Sequence, residues 1–394
     1  MNTEQSQPFV LRQSLLWIMA IASGLAVANL YYNQPLLADM ATSFGISRDK
    51  AGYISTFTQI GYALGMLLFV PLGDIRERRK LISTLLILVT ISLLGAAAST
   101  HIVWMYIASF AIGLTTVVPQ ILVPFSAQLA TPEQRGKVIG TVMSGLLFGI
   151  LLARTISGLI GGTWGWRWMY GIAAIMMFVL FLVLRRKLPH VEPLMKSTYS
   201  ELLISIGGLI RQYAVLREGA LIGALNFASF SVFWTSLSFY LEGEPYHYSS
   251  QIAGLFGLVG VVGALGAPIV GRIADRIQPK WIIGAMIVVT LISFAFFGWL
   301  GGTLIGLMIG IVLLDLGVQG AQVSNQARIY ALNDSARSRL NTVLMVSTFV
   351  GGAIGSSVSS YMWKIGGWSA VSLSGGVFML LSLVVWSIAR WRKQ

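Results

Sequence analysis

Twelve apolar runs, at about 14–38, 50–72, 80–99, 102–129, 137–162, 167–185, 218–241, 250–272, 281–299, 303–330, 339–363 and 369–389, leave this chain few folds to choose from. A helix needs roughly 20 apolar residues to cross a bilayer, and these runs are of that order. With 56% of its 394 residues hydrophobic and 10% charged, the chain has too little polar surface to fold in water. The reading is an all-α membrane protein of twelve transmembrane helices with no room for a catalytic head.

A net charge of +13 suggests nucleic acid only when it decorates a soluble face, and here the lysines and arginines lie between the apolar runs. They act as topology signals instead. With the N-terminus placed in the cytoplasm, 22 of the 27 basic residues fall on the inner side, while Arg48, Lys50, Arg167 and Lys364 fall outside and Arg154 lies within a span. Both termini are therefore expected in the cytoplasm of a cell inner membrane. The polar stretch Met1 to Val10 runs into a long apolar segment without a small-residue cleavage site, which reads as an uncleaved first helix. There is no cysteine, and His101, His190 and His247 are scattered, so neither a metal centre nor a cofactor is expected.

The longest polar interruption, residues 187–217, contains a segment from Tyr199 to Tyr213 able to form an amphipathic helix. It divides the chain into an N-terminal six-helix bundle, 1–186, and a C-terminal one, 218–394. The two repeat each other: Asp74 answers Asp275 at an offset of 201, and Arg135, Lys137, Met143, Gly149 and Trp166 answer Arg337, Arg339, Met345, Gly351 and Trp368 at 202. Duplication of this kind is a common transporter architecture.

The loop after the eighth run, Gly271-Arg-Ile-Ala-Asp275-Arg276-Ile-Gln-Pro-Lys280, resembles the Gly-x-Leu-Ala-Asp-Arg-x-Gly-Arg-Lys signature of the major facilitator superfamily. The first-half copy keeps Asp74 and the basic run with Arg78, but has Val70 and Glu77 where the family has glycine. The resemblance implies two pseudo-symmetric six-helix bundles and a conformational latch at Asp74, Arg78, Asp275 and Arg276. Helix 5 is similar to the antiporter signature at Gly140, Gly149, Ala153, Ser157 and Gly158, with Arg154 standing where the family has proline. Small residues there let helices approach closely and pivot. In helix 4, Ser109 occupies the place of the family's embedded arginine. Tyr31-Tyr32-Asn33-Gln34-Pro35 and Thr116-Val-Val-Pro119-Gln120 look like a bacterial efflux branch.

The resemblance also implies a central cavity faced by helices 1, 4, 7 and 10. Polar residues on these are the candidate substrate contacts: Asn29 and Asn33 on helix 1 at i, i+4, Gln120 on helix 4, Asn226 and Trp234 on helix 7, and Gln319 and Gln322 on helix 10. Arg154 and Asp315 are the only charges placed deep within spans, and a charge there exists for a partner, a cavity or a ligand. Asp315 is the candidate proton-coupling carboxylate, with Arg154 either holding its charge or binding an anionic substrate. Trp164, Trp166, Trp168 and Trp368 are assigned to an outer aromatic belt.

The function expected is a monomeric secondary transporter exporting small organic molecules, drugs or metabolites, in exchange for protons. The alternative is a facilitator or importer of a sugar, amino acid or organic anion. No Gly-x4-Gly-Lys-Ser/Thr loop is present to run an ATP engine. An enzyme would need paired acids, a nucleophile with its base, or metal ligands, which the spans lack.

Overall fold

The computed structural model describes residues 12–131, 133–192, 198–266, 270, 277–333 and 336–391. Among these the secondary structure is helical, and the apolar runs map onto it in order. The first run is α1 (Gln13–Ala28), a 3-10 turn (Gln34–Leu36) and α2 (Leu37–Phe44). The second is α3 (Arg48–Phe69) followed by the short α4 (Leu72–Ile75). Next come α5 (Arg78–Ala97), then α6 (Ile102–Thr115) and α7 (Val118–Leu129), which share the fourth run, then α8 (Arg135–Trp164) and α9 (Trp166–Lys187). After the intervening α10 (Tyr199–Gln212), the second half holds α11 (Ala214–Glu242), α12 (Ser250–Ala264), α13 (Pro279–Trp299), α14 (Leu304–Tyr330) and α15 (Arg337–Trp391).

Among the described residues, nine helices are long and apolar enough to cross a membrane, and Gln13–Ala28 and Ser250–Ala264 are shorter apolar ones. The last of the nine holds two runs. At about 1.5 Å per residue, the 55 residues of α15 would extend well beyond a bilayer's hydrocarbon core. They turn back at Gly366–Gly367, where Gly367 takes φ +57, a backbone state that favours glycine.

Two runs that read as continuous helices are broken. Between Ala28 and Leu37 the chain passes through turns and a 3-10 segment, because Pro35 has no N–H to donate back along a helix. The i, i+4 relation expected of Asn29 and Asn33 therefore does not hold. The fourth run breaks at Thr116–Val117, ahead of Pro119, which sits in the first turn of α7.

In the first half α1 packs on α8 and α7, α3 on α6, and α5 on α9; in the second, α11 packs on α15 and α13 on α14. The two most extensive contacts between the halves are α3 with α15 and α8 with α12, and α11 adds smaller ones to the first run and α3. Close approach within each half uses the residues of the repeat. A Cβ on Gly149 would fall 2.1 Å from the Gly24 carbonyl oxygen, and one on Gly351 would fall 2.0 Å from that of Ala224. The aromatic belt is smaller than the sequence reading has it. Trp164 and Trp168 are exposed, but Trp166 is buried, and Trp368 stacks on Tyr240 at 4.0 Å and donates its indole N–H to the Phe297 carbonyl.

Candidate functional site

Arg154 and Asp315 lie at the same depth. Arg154 stands ten residues before the end of α8 and Asp315 eleven residues after the start of α14, so each is about 15 Å from the same end of the helix bundle, near the middle of a hydrocarbon core about 30 Å thick. Both are 1% exposed.

No ion pair joins them. The Arg154 Nε donates to Gln34 Oε1 at 2.6 Å, and its guanidinium carbon lies 3.9 Å from the ring centroid of Trp234, 5.0 Å from Tyr31 and 5.4 Å from Phe230. Such a desolvated guanidinium over aromatic faces is worth about 2 kcal/mol or more. The break in the first run contributes to this cage, because it brings Tyr31 and Gln34 beside α8. The indole thus meets the cation on its electron-rich face. Asp315 and Trp234 both pack toward Gly260 of α12: a Cβ built there would stand 3.0 Å from Asp315 Oδ2 and 3.3 Å from Trp234 Cζ2. Arg154 Nη2, Asp315 Oδ2 and Trp234 Nε1 are buried without hydrogen-bond partners.

The other candidates divide. Asn33 is engaged on both amide atoms, donating to Thr58 Oγ1 at 3.2 Å and accepting from Ser55 Oγ at 3.1 Å, so it ties the first run to α3. Asn226 donates to the Ile222 carbonyl and to Ser382 Oγ, leaving its Oδ1 unpartnered. Gln120 donates to the Tyr62 hydroxyl at 3.2 Å. Asn29 is buried with both amide atoms unpartnered, while Gln319 and Gln322 are half-buried, Gln322 beside Asn226 and Asn325 in a separate small cavity.

Asp74 and Arg78 do meet. Arg78 Nη2 lies 3.0 Å from Asp74 Oδ1, its Nε donates to the Gly73 carbonyl, and its Nη1 donates to Gln128 Oε1 at 2.7 Å, fastening the loop to the end of α7. These partners all belong to the first half. Asp275 and Arg276 lie outside the described residues.

Several contacts carry little signal in sequence. His190 of the linker binds Glu77 at 2.7 Å, and Lys80 pairs with the same carboxylate at 3.1 Å. Burial works against ionisation of Glu77, but these two bases outweigh it and hold the carboxyl below the usual carboxylate range. The halves meet at one end of the molecule: Arg48 bonds Glu242 at 2.7 Å, Ser357 bonds Thr56, and Gln59 donates to Ser356 while accepting from Ser231. On the other crossing pair, Thr155 Oγ1 donates to the Gly254 carbonyl, and a Cβ on Gly158 would fall 2.7 Å from Gly254 Cα. Among the described residues no three metal-binding side chains cluster. The arrangement offers binding groups and a proton acceptor rather than bond-breaking chemistry.

Known proteins resemble this chain in sequence and in fold. A model of the Major Facilitator Superfamily matches residues 16–337 and 220–394. The uncharacterized transporter YgaY of Escherichia coli O157:H7 is 44% identical over 383 residues, covering 97% of this chain and 96% of that one. The probable transporter SCO4007 of Streptomyces coelicolor is 32% identical over 366 residues, covering 92% and 85%. A crystal structure of a D-xylose–proton symporter superposes with a TM-score of 0.75 over 96% of this chain and 97% of that one at 16% identity, a likeness of fold.

Proposed function

Because this chain belongs to the Major Facilitator Superfamily, a family of transporters and not of enzymes, we propose that it is a secondary active transporter that exports small organic molecules across a bacterial inner membrane in exchange for protons. The observation that carries the reading is the mid-depth site at the junction of the halves, where Arg154 lies over Trp234, Asp315 and Trp234 both pack toward Gly260, and all three residues keep open hydrogen-bonding atoms. A buried polar atom left unpartnered costs about 1–3 kcal/mol, which a ligand or a proton would offset.

In this reading residues 1–186 and 218–394 are bundles that rock about the site, joined by a cytoplasmic linker, 187–217. The positive-inside distribution puts the contact between Arg48 and Glu242 on the outer side. Arg154 and Trp234 hold the substrate, Asn29, Gln120, Asn226, Gln319 and Gln322 line its path, and Asn33 serves as a strut. Asp315 carries the proton. Asp74 with Arg78, and Asp275 with Arg276, are latches that rocking must break, and Asp275 is the stronger of the two. The export direction follows the efflux-like phrases of the sequence. A second reading, uptake together with a proton, is supported by the neighbouring fold of a D-xylose–proton symporter.

Purified protein in proteoliposomes with an imposed pH gradient, screened with cationic, neutral and anionic compounds, tests the proposal. Accumulation of at least one compound that collapses with a proton ionophore is expected. Movement indifferent to the ionophore would refute the coupling, and accumulation only with the opposite gradient would reverse the direction.

A further inference from the structure

Beside the cage lies a small, partly open pocket walled by Gln34, Arg154, Trp234 and Ser238, its lining completed by Pro35, Leu237 and Ala253, with room for about one water-sized group. Three of its four polar walls carry a hydrogen-bond donor without a partner: Arg154 Nη2, Trp234 Nε1 and Ser238 Oγ. The three residues are 1%, 2% and 4% exposed. Arg154 and Trp234 have only donors to give, and the hydroxyl of Ser238 can donate or accept. The fourth wall, Gln34, has its Oε1 already taken by Arg154 Nε. No carboxylate lines the cavity, and its one formal charge is positive.

Convergent donors around a guanidinium, on side chains this deeply buried, select by charge and by size. A cation would meet like charge, and a neutral apolar group would leave the donors unsatisfied at about 1–3 kcal/mol each. A compact anion satisfies them together, through charge-assisted bonds about twice as strong as neutral ones. Asp315 is not that anion, since it forms no ion pair with Arg154 and its unpartnered oxygen lies toward Gly260 on α12. We propose that this cavity is a seat for one compact monovalent anion, either the carboxylate end of a transported molecule or a free halide. The inference rests on the reading of Arg154 and Trp234 as part of the transport site and narrows it, making a carboxylate-bearing organic molecule the preferred cargo.

The full chain in detergent, at constant ionic strength set by sodium sulfate, whose anion is divalent, is titrated with sodium acetate and, separately, with sodium chloride while its unfolding midpoint is followed. A saturable rise with at least one of them is expected. Trp234→Phe keeps the ring and removes the N–H, and Ser238→Ala removes the hydroxyl; each is expected to weaken the apparent affinity about five- to tenfold. A rise with acetate, together with inhibition of flux by small carboxylates, assigns the seat to the cargo. A rise with chloride alone assigns it to a resident ion. No saturable response in the parent, or a foldable Ser238→Ala that titrates like the parent, overturns the proposal. Compounds that move under a pH gradient without any anion response would sink the seat and leave the transport reading standing, whereas anion binding without flux of any solute would do the reverse.

Discussion

The two most extensive interfaces between the halves of this molecule are related by the 202-residue offset. Gly52 of α3 faces Ser360 of α15, and its counterpart Gly254 of α12 faces Gly158 of α8, the counterpart of Ser360. The close approach is retained in both. The polar chemistry is not. On the α3–α15 side the groups find one another: Gln59 donates to Ser356 at 3.0 Å, Ser231 donates to Gln59, and Thr235 bonds Ser356 at 3.0 Å. On the α8–α12 side the residue equivalent to Ser356 is Arg154, which lies over Trp234 and leaves Nη2 open, and Asp315, packed toward Gly260 of α12, has an oxygen without a partner. A satisfied network rigidifies, whereas open buried atoms are costly unless something occupies them. One interface has its polar groups satisfied, and the other leaves buried ones open.

Replacing the two equivalent residues should break the comparison most sharply. Arg154→Gln is expected to lower transport in proteoliposomes by about a hundredfold or more, from loss of contacts worth about 2 kcal/mol or more together with loss of the charge. Ser356→Ala removes one neutral bond, worth about 0.5–1.5 kcal/mol, and should leave flux within about threefold. Equal losses in the two would mean that the asymmetry has no functional content.

The glycines sharpen the same contrast. A methyl on Gly158 meets the backbone of Ser250 and Gly254, which cannot rotate away, while one on Gly52 meets the hydroxyl of Ser360, which can. Gly158→Ala should destabilise the α8–α12 contact by about 1–3 kcal/mol, read as weaker cross-linking between cysteines introduced near 155 and 254. Gly52→Ala should show a smaller effect in the matching assay on α3 and α15. The Arg48–Glu242 pair between the halves is partly exposed, so Glu242→Gln should shift the balance of conformers by only about 0.2–1 kcal/mol.

The smallest effect concerns the linker, away from both interfaces. Glu77 has a lowered pKa in the folded protein. Its contribution is thus present above the unfolded carboxylate pKa of about 4.3 and is lost as pH falls through the lower folded value. Protection of the amides of 188–192 against hydrogen exchange, corrected for intrinsic rates, should hold from neutral pH to about 5 and decline only below about 4. Glu77→Gln should remove that dependence.

Much of this was legible in residues alone, and the failures have physical causes. Spans, their order and the repeat follow from hydropathy and spacing, which the bilayer imposes on any chain. Arg154 and Asp315 stand out because charge in a span is costly. The partners of Arg154 were hidden: Gln34 and Tyr31 reach it only because Pro35 breaks the first run, so face arithmetic on an unbroken helix misplaced Asn29 and Asn33. The satisfaction of Asn33 by Ser55 and Thr58, and of Gln59 by Ser356, depends on helix crossings that periodicity does not encode. Trp234 stands out in sequence as an aromatic on helix 7, but its place against the Arg154 guanidinium needs α8 and α11 in position.

The central claim is that Asp315 couples a proton to substrate movement through the site it shares with Trp234 and Arg154. Its most direct test is the pH change inside proteoliposomes on adding a transported compound, compared between the parent and Asp315→Asn, with substrate counterflow measured in parallel. The account predicts that the parent moves protons with substrate while Asp315→Asn retains counterflow and moves none. A substrate-dependent proton flux in Asp315→Asn equal to that of the parent would contradict it.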